Sequence, residues 1–228
     1  MALLHTSSLA ATIDAVNEAT FFGKMPPKPE RREAARWIAS RQGLPGSYAG
    51  MFAPTEKDRA AGLRLFTGER IDTDAGVGHI LGEEACRALL VLDVDDPMVR
   101  EALSRAGQGI LGRMNKAYGV NHGGGTYCCG KCSVSLWRHL AAGGLDHRER
   151  RLTNGLASLK GRRDGQGRWR VFPFHYTLLA LSEIDLPAAR AEMQYAAPVC
   201  ERLVNRKPSA DKFARRRRTL AERVLEMC

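Results

Sequence analysis

The sequence predicts an all-α fold of helical hairpins, repeated so that the chain forms a small or incomplete α/α ring. Three observations predict it. Apolar residues recur three and four positions apart in about ten separate stretches, which gathers them on one helical face in each. Runs of β-branched residues with period two, the mark of a half-buried strand, are absent. A glycine, any residue and an aromatic recur as Gly46-Ser47-Tyr48, Gly125-Thr126-Tyr127 and Gly167-Arg168-Trp169, each followed, directly or after an insertion, by an apolar helix that ends near an aspartate. A unit of about 40 residues repeated in this way would be an outer helix, a turn and an inner helix stacked on its neighbours.

The elements follow in order. Leu9, Ile13, Val16 and Ala19 place a helix between Ser7 and Phe22, with Ser7 or Ser8 as its cap. The prolines of Gly23 to Pro29 break it, and a second helix runs from Glu30 to about Gln42. Gly43 to Gly50 is a loop. An amphipathic piece from Glu56 to Phe66 and a polar connector lead to a helix from Ala75 to Leu92. Asp95 or Asp96 then caps a helix from Met98 to Met114, with Pro97 suited to its first turn. Helices from Ser133 to Ala142, Arg148 to Leu159, Phe172 to Glu183 and Pro187 to Val204 follow, and a terminal helix from Lys212 to Met227 carries Arg215 to Arg218. The chain therefore divides into an N-terminal helix and proline-rich linker over 1–28, a repeat domain over 29–205 and a basic terminal helix over 206–228.

Composition narrows the function classes. With 228 residues, 44% hydrophobic and 26% charged, the chain is long enough to bury a sizeable core and reads as globular. Its six cysteines are too few and too unevenly spaced for a small secreted disulfide scaffold, and the first residues lack a basic stretch leading into an apolar one, so a reducing, cytoplasmic setting is expected. No apolar run approaches the roughly 18 residues that a membrane span needs. A formal charge of +10 favours acidic partners, among them phosphates, diphosphates and nucleic acid.

Metal-ligand chemistry concentrates between Asn121 and His139, where three cysteines and two histidines flank a triple glycine. Cys129 and Cys132 have the C-x-x-C spacing that brings two thiolates onto one zinc, while Cys128 and Cys132, four apart, share a helical face. A redox pair and plain buried thiols are the competing readings. A structural zinc site takes four ligands, so the others must come from afar. His122 and His79 are held as reserve ligands or general bases. His139 lies two turns down the helix from Cys132, and Cys86, Cys200 and Cys228 read as incidental thiols. Gly123 to Gly125 form a flexible turn, since no phosphate-loop pattern accompanies them.

The sequence of helix, glycine turn and inner helix (Arg41-Gln42-Gly43-Leu44-Pro45-Gly46-Ser47-Tyr48 and Phe174-His175-Tyr176-Thr177-Leu178-Leu179 are examples) resembles the repeat of the α/α-toroid superfamily of protein prenyltransferase β subunits and squalene and hopene cyclases. The resemblance covers about Glu30 to Leu186. It implies a zinc held by a cysteine and a histidine that open successive inner helices, here Cys132 and His175. The family's aspartate two residues before the cysteine is here Gly130, so Cys128 or Cys129 takes its place. It also implies a zinc-dependent transferase or cyclase acting on a thiol, isoprenoid or other small hydrophobic or anionic substrate. Tyr127, Trp137 and Trp169 would line its pocket and Arg162, Arg163, Arg168 and Arg170 would clamp an anionic end. Asp93-Val94-Asp95-Asp96 spells the acid motif of the class II terpene cyclases in the same superfamily, but its place before Pro97 reads as helix capping. A ring this small is expected to stay open or to be completed by a second subunit as a homo-oligomer. The alternative function is a non-catalytic scaffold stapled by a zinc with four protein ligands, and Arg215 to Arg218 offer a surface for an acidic partner or nucleic acid.

Overall fold

A computed structural model describes residues 2–118, 124–207 and 209–228. Among them are ten α-helices, one 3-10 turn and a two-stranded hairpin, so the mostly helical expectation holds. The chain divides into two compact units: Met1–Leu65, Arg70–His122 and Ala142–Asp146 form the first, and Phe66–Glu69, Gly123–Ala141 and His147–Cys228 the second.

In the first unit, α1 (Leu9–Phe21) starts where Ser8 Oγ accepts the Ala11 N–H. Ser8 also donates to the buried carboxylate of Asp58, which accepts the Leu9 N–H as well, at 2.5 and 2.9 Å. That ties the start of α1 to α3 (Glu56–Ala61), whose own cap is a reciprocal Thr55–Asp58 box. α2 (Lys28–Ala39) begins inside the proline-rich stretch, because Pro29 falls in the first turn, where a helix has no use for its N–H.

The amphipathic piece from Glu56 to Phe66 is only partly helical, and the expectation of no strand is corrected. Gly62, at φ +68°, ends α3, and Leu63–Arg64 (β1) pairs antiparallel with Arg70–Ile71 (β2) in the register Leu63↔Ile71. α4 (Asp74–Leu92) is buried on nearly every side and receives α1, α2 and α5. Its buried Glu84 and Arg87 are matched from α1: Asn17 donates to Glu84 at 3.2 Å and accepts from Arg87 at 2.7 Å. α5 (Pro97–Tyr118) starts on Asp96, which is 2% exposed, accepts the Met98 N–H at 3.0 Å and faces Arg32 and Arg36. The aspartate motif is thus a cap, as its place before a proline implied.

The second unit packs α6 (Gly130–Ala141) on α7 (Arg148–Lys160) and α8 (Phe174–Leu181), and α9 (Pro187–Val204) on α7, α8 and α10 (Lys212–Met227). Trp137 is fully buried, with its indole N–H donated to Gly125 O at 2.6 Å and its ring stacked on Phe172 at 5.4 Å. The repeated turns are alike in part. Gly46 and Gly167 bend at φ +83° and +82°, angles open to glycine at no steric cost, whereas Gly125 lies outside that region. The Gly46 turn sets Tyr48 on His79 at 4.4 Å, and the Gly167 turn sets Trp169 on Phe174 at 5.9 Å.

Candidate metal centre

The head of α6 is built by the residues just before it. Tyr127 is buried, its N–H donates to Ser133 Oγ at 3.0 Å, and Ser133 donates back to Tyr127 O at 3.2 Å. The Ser133 N–H bonds Cys129 O at 2.8 Å, which makes Cys129 the cap of the helix and sets Cys132 in its first turn rather than at the start that Ser133 was expected to mark. Cys128 holds φ +63°, the left-handed conformation that turns the chain into the cap. Gly130 is required by close approach: a Cβ there would stand 2.0 Å from Val171 O, so the carbonyl before Phe172 rests directly on the helix start.

This geometry gathers three thiols. Cys129 and Cys132 Sγ are 3.4 Å apart, Cys128 and Cys132 Sγ lie within 4.8 Å, and Cys132 is buried while the other two are exposed. The sequence offered Cys128 and Cys129 as alternatives; the structure keeps both near Cys132. Cys129 is pulled down to about 5, first by the Cys132 S–H that it accepts and then by the backbone N–H groups of Cys132 and Lys131. Cys132 is pushed upward because its thiol donates to Cys129 and because it is buried. Thiolates on a tetrahedral zinc at about 2.3 Å stand roughly 3.8 Å from one another. The Cys129–Cys132 separation is a little shorter than that edge, and the Cys128–Cys132 pair lies within 4.8 Å.

His175 belongs to the second unit and His79 to the first. His175, near the start of α8, has Nδ1 3.8 Å from Glu69 Oε1 and sits edge-on to Phe174 at 5.2 Å. Burial, and after it the charges of Arg217, Arg168 and Arg206, hold it down at about 3, so the ring is neutral. Its Nε2 is buried and has no hydrogen-bond partner among the described residues. His79 is buried in the first unit, one helical turn from Glu83, with its Nε2 3.9 Å from that carboxylate; burial lowers its pKa against the opposing pull of Glu83. His122, with Gly123, lies outside the described residues.

The expected substrate residues divide. Tyr127, Trp137 and Trp169 are core side chains of the second unit. Arg163 forks onto Glu192 at 2.9 and 3.1 Å, and Trp169 donates to the same carboxylate at 2.8 Å, so this arginine holds its hairpin together. Arg168 lies over Phe174 at 4.4 Å, and Arg162, Arg168 and Arg170 are exposed. The run at the start of α10 is not a uniform solvated face. Arg216 is buried over Phe66 at 4.0 Å with Nη1 on Phe66 O, Arg217 Nε donates to Thr67 O, and Arg218 pairs with Glu222 at 3.0 Å. Glu69, Arg206 and Lys207 escaped the sequence reading, because a short polar connector and a pair of cations at a helix end carry no periodic signal.

Among the described residues no helix is long and apolar enough to cross a membrane. No family model matches the chain, and no curated protein or solved structure is significantly similar to it.

Proposed function

We propose that the chain is a zinc-dependent enzyme of the α/α-toroid-like class, with one zinc on Cys128, Cys129 and Cys132 and the remaining coordination position open to substrate. The gathering of three thiols at the head of α6 carries this reading. Zinc in such a place supplies a Lewis acid that makes a bound thiol or water nucleophilic near neutral pH. The chain's own residues hold the sulfurs ready: Lys131 and Cys132 direct backbone N–H groups at Cys129, and Ser133 clamps the loop to the helix. The ring architecture is part of the proposal and is supported by the matching turns at Gly46 and Gly167 and the aromatic that each presents to the next helix. The substrate class is a thiol, an isoprenoid or another small hydrophobic or anionic compound.

Metal analysis tests the site. Purified protein is expected to carry about one zinc, since three clustered thiolates form a soft donor set suited to that ion. Cys132→Ser is expected to lose it and Cys200→Ser to keep it; equal metal content in the two would overturn the assignment. Loss of zinc in His79→Ala, His122→Ala or His175→Ala as well would identify a fourth protein ligand and turn the reading into a closed scaffold.

A second reading, a dithiol–disulfide couple, is favoured by the 3.4 Å contact between an exposed Cys129 and a buried Cys132. It gives Cys128 no part, which is why zinc stands first. Metal-free protein whose Cys129 and Cys132 pair in a glutathione redox buffer would select it.

A further inference from the structure

We infer that the pocket between His175, the end of α9 and the first turns of α10 binds a small organic compound that carries two or more phosphate groups. This site is separate from the thiols and does not depend on the zinc reading. The pocket has a volume of about 400 Å³, within the range of small-molecule sites, and Arg206, Lys207, Arg215, Arg217 and Arg218 line it together with His175. Two carboxylates lie beside these groups: Glu222 pairs with Arg218 at 3.0 Å, and Glu69 stands 3.8 Å from His175. Arg206, Lys207 and Arg215 have no ion-pair partner among the described residues. The cations therefore exceed what the protein itself neutralises, in a concave site where their fields add.

Two of the guanidinium groups are already held in place. Arg217 Nε donates to Thr67 O at 2.6 Å and Arg218 Nη1 donates to Arg206 O at 2.9 Å, and a guanidinium has five N–H donors, so most of each fork is left for an anion. His175 supplies the second, independent sign. Its Nε2 is buried and has no hydrogen-bond partner among the described residues, so the imidazole stands at the pocket wall as a neutral group. Its depressed pKa, for which three arginine charges are responsible after burial, reports the same positive field from inside the site. One phosphate carries at most about two charges. Five cations suit at least two phosphates.

Leu203 and Ala214 complete the wall and give the organic part an apolar surface. Among the described residues no phenylalanine, tyrosine or tryptophan lines the pocket, so it lacks the broad stacking platform on which single-stranded nucleic acid rests. That favours a compact phosphorylated molecule over a polymer.

Calorimetry of the full chain in phosphate-free and sulfate-free buffer tests the site, with inorganic pyrophosphate as probe. Saturable one-to-one binding is expected, about tenfold tighter than for inorganic phosphate. Arg206→Gln with Lys207→Gln should weaken it by about tenfold or more, while Arg162→Gln with Arg170→Gln, an equal charge change on an exposed loop, should leave it within about twofold. All four side chains are exposed, so both double variants should fold, and circular dichroism checks that they do. Capture of zinc by pyrophosphate would be the same in both variants and is thereby told apart. Failure to saturate, equal weakening in the two variants, or an oligonucleotide that binds through Arg206 and Lys207 and is not displaced by pyrophosphate would overturn the inference.

Discussion

His175 shows how one residue can stand in a role that sequence position alone does not reveal. At the head of an apolar helix, two residues after a proline, it is the residue that the resemblance to toroid repeats implies as a zinc ligand. The structure places Glu69 and the cations of α10 beside it. Its pKa is about 3 in the folded chain against 6.5 unfolded, so the folded state binds fewer protons between those values. Stability from this group is full above pH 6.5 and is lost progressively as pH falls toward 3. Urea denaturation at pH 7 and pH 4.5 should therefore show a smaller acid penalty for His175→Phe than for the parent chain. An unchanged penalty would mean that the imidazole is not held neutral. Trp137 is simpler: it is fully buried, and Trp137→Ala should cost about 3–5 kcal/mol in the same measurement.

Elements were legible where a strong start or stop signal coincided with a long apolar period. Pro187 and Asp211 fix the starts of α9 and α10, and both helices run as expected. The hairpin at Leu63–Arg64 and Arg70–Ile71 was not legible, because strands of two residues cannot display a period of two. The start of α6 was placed three residues late, at Ser133. The reason is physical: Gly130 ordinarily argues against helix, and only its contact with Val171 O, a distant residue, makes glycine necessary there. Gly130→Ala is accordingly expected to do more harm than its helix propensity suggests. It should push the helix start away from the 170–172 loop, lower the melting temperature and reduce zinc retention. A melting temperature and zinc content equal to the parent's would show that the helix start tolerates a side chain. The thiol cluster itself was readable as a pattern, but that Cys128 and Cys129 both stay near Cys132 was not, since the turn there uses a left-handed backbone at Cys128.

At the scale of the whole molecule, helical character was plain from periodicity, whereas the division into two units that interleave along the chain had no local signal. The net charge of +10 had been legible only as a preference for anions; the structure concentrates part of it on one pocket. The place of the proposed zinc in the stability of the chain follows from how the thiols are held. Cap bonds and a buried Tyr127 position them without an ion, and both units have cores of their own, so removing zinc with a chelator should lower the melting temperature while leaving the helical dichroism largely intact. The most direct measurement of the central claim is X-ray absorption at the zinc edge on protein purified without added metal. The account predicts about one zinc per chain, three sulfur neighbours at about 2.3 Å and one lighter oxygen or nitrogen neighbour. Protein with no zinc, or a zinc with fewer than three sulfurs, would contradict it.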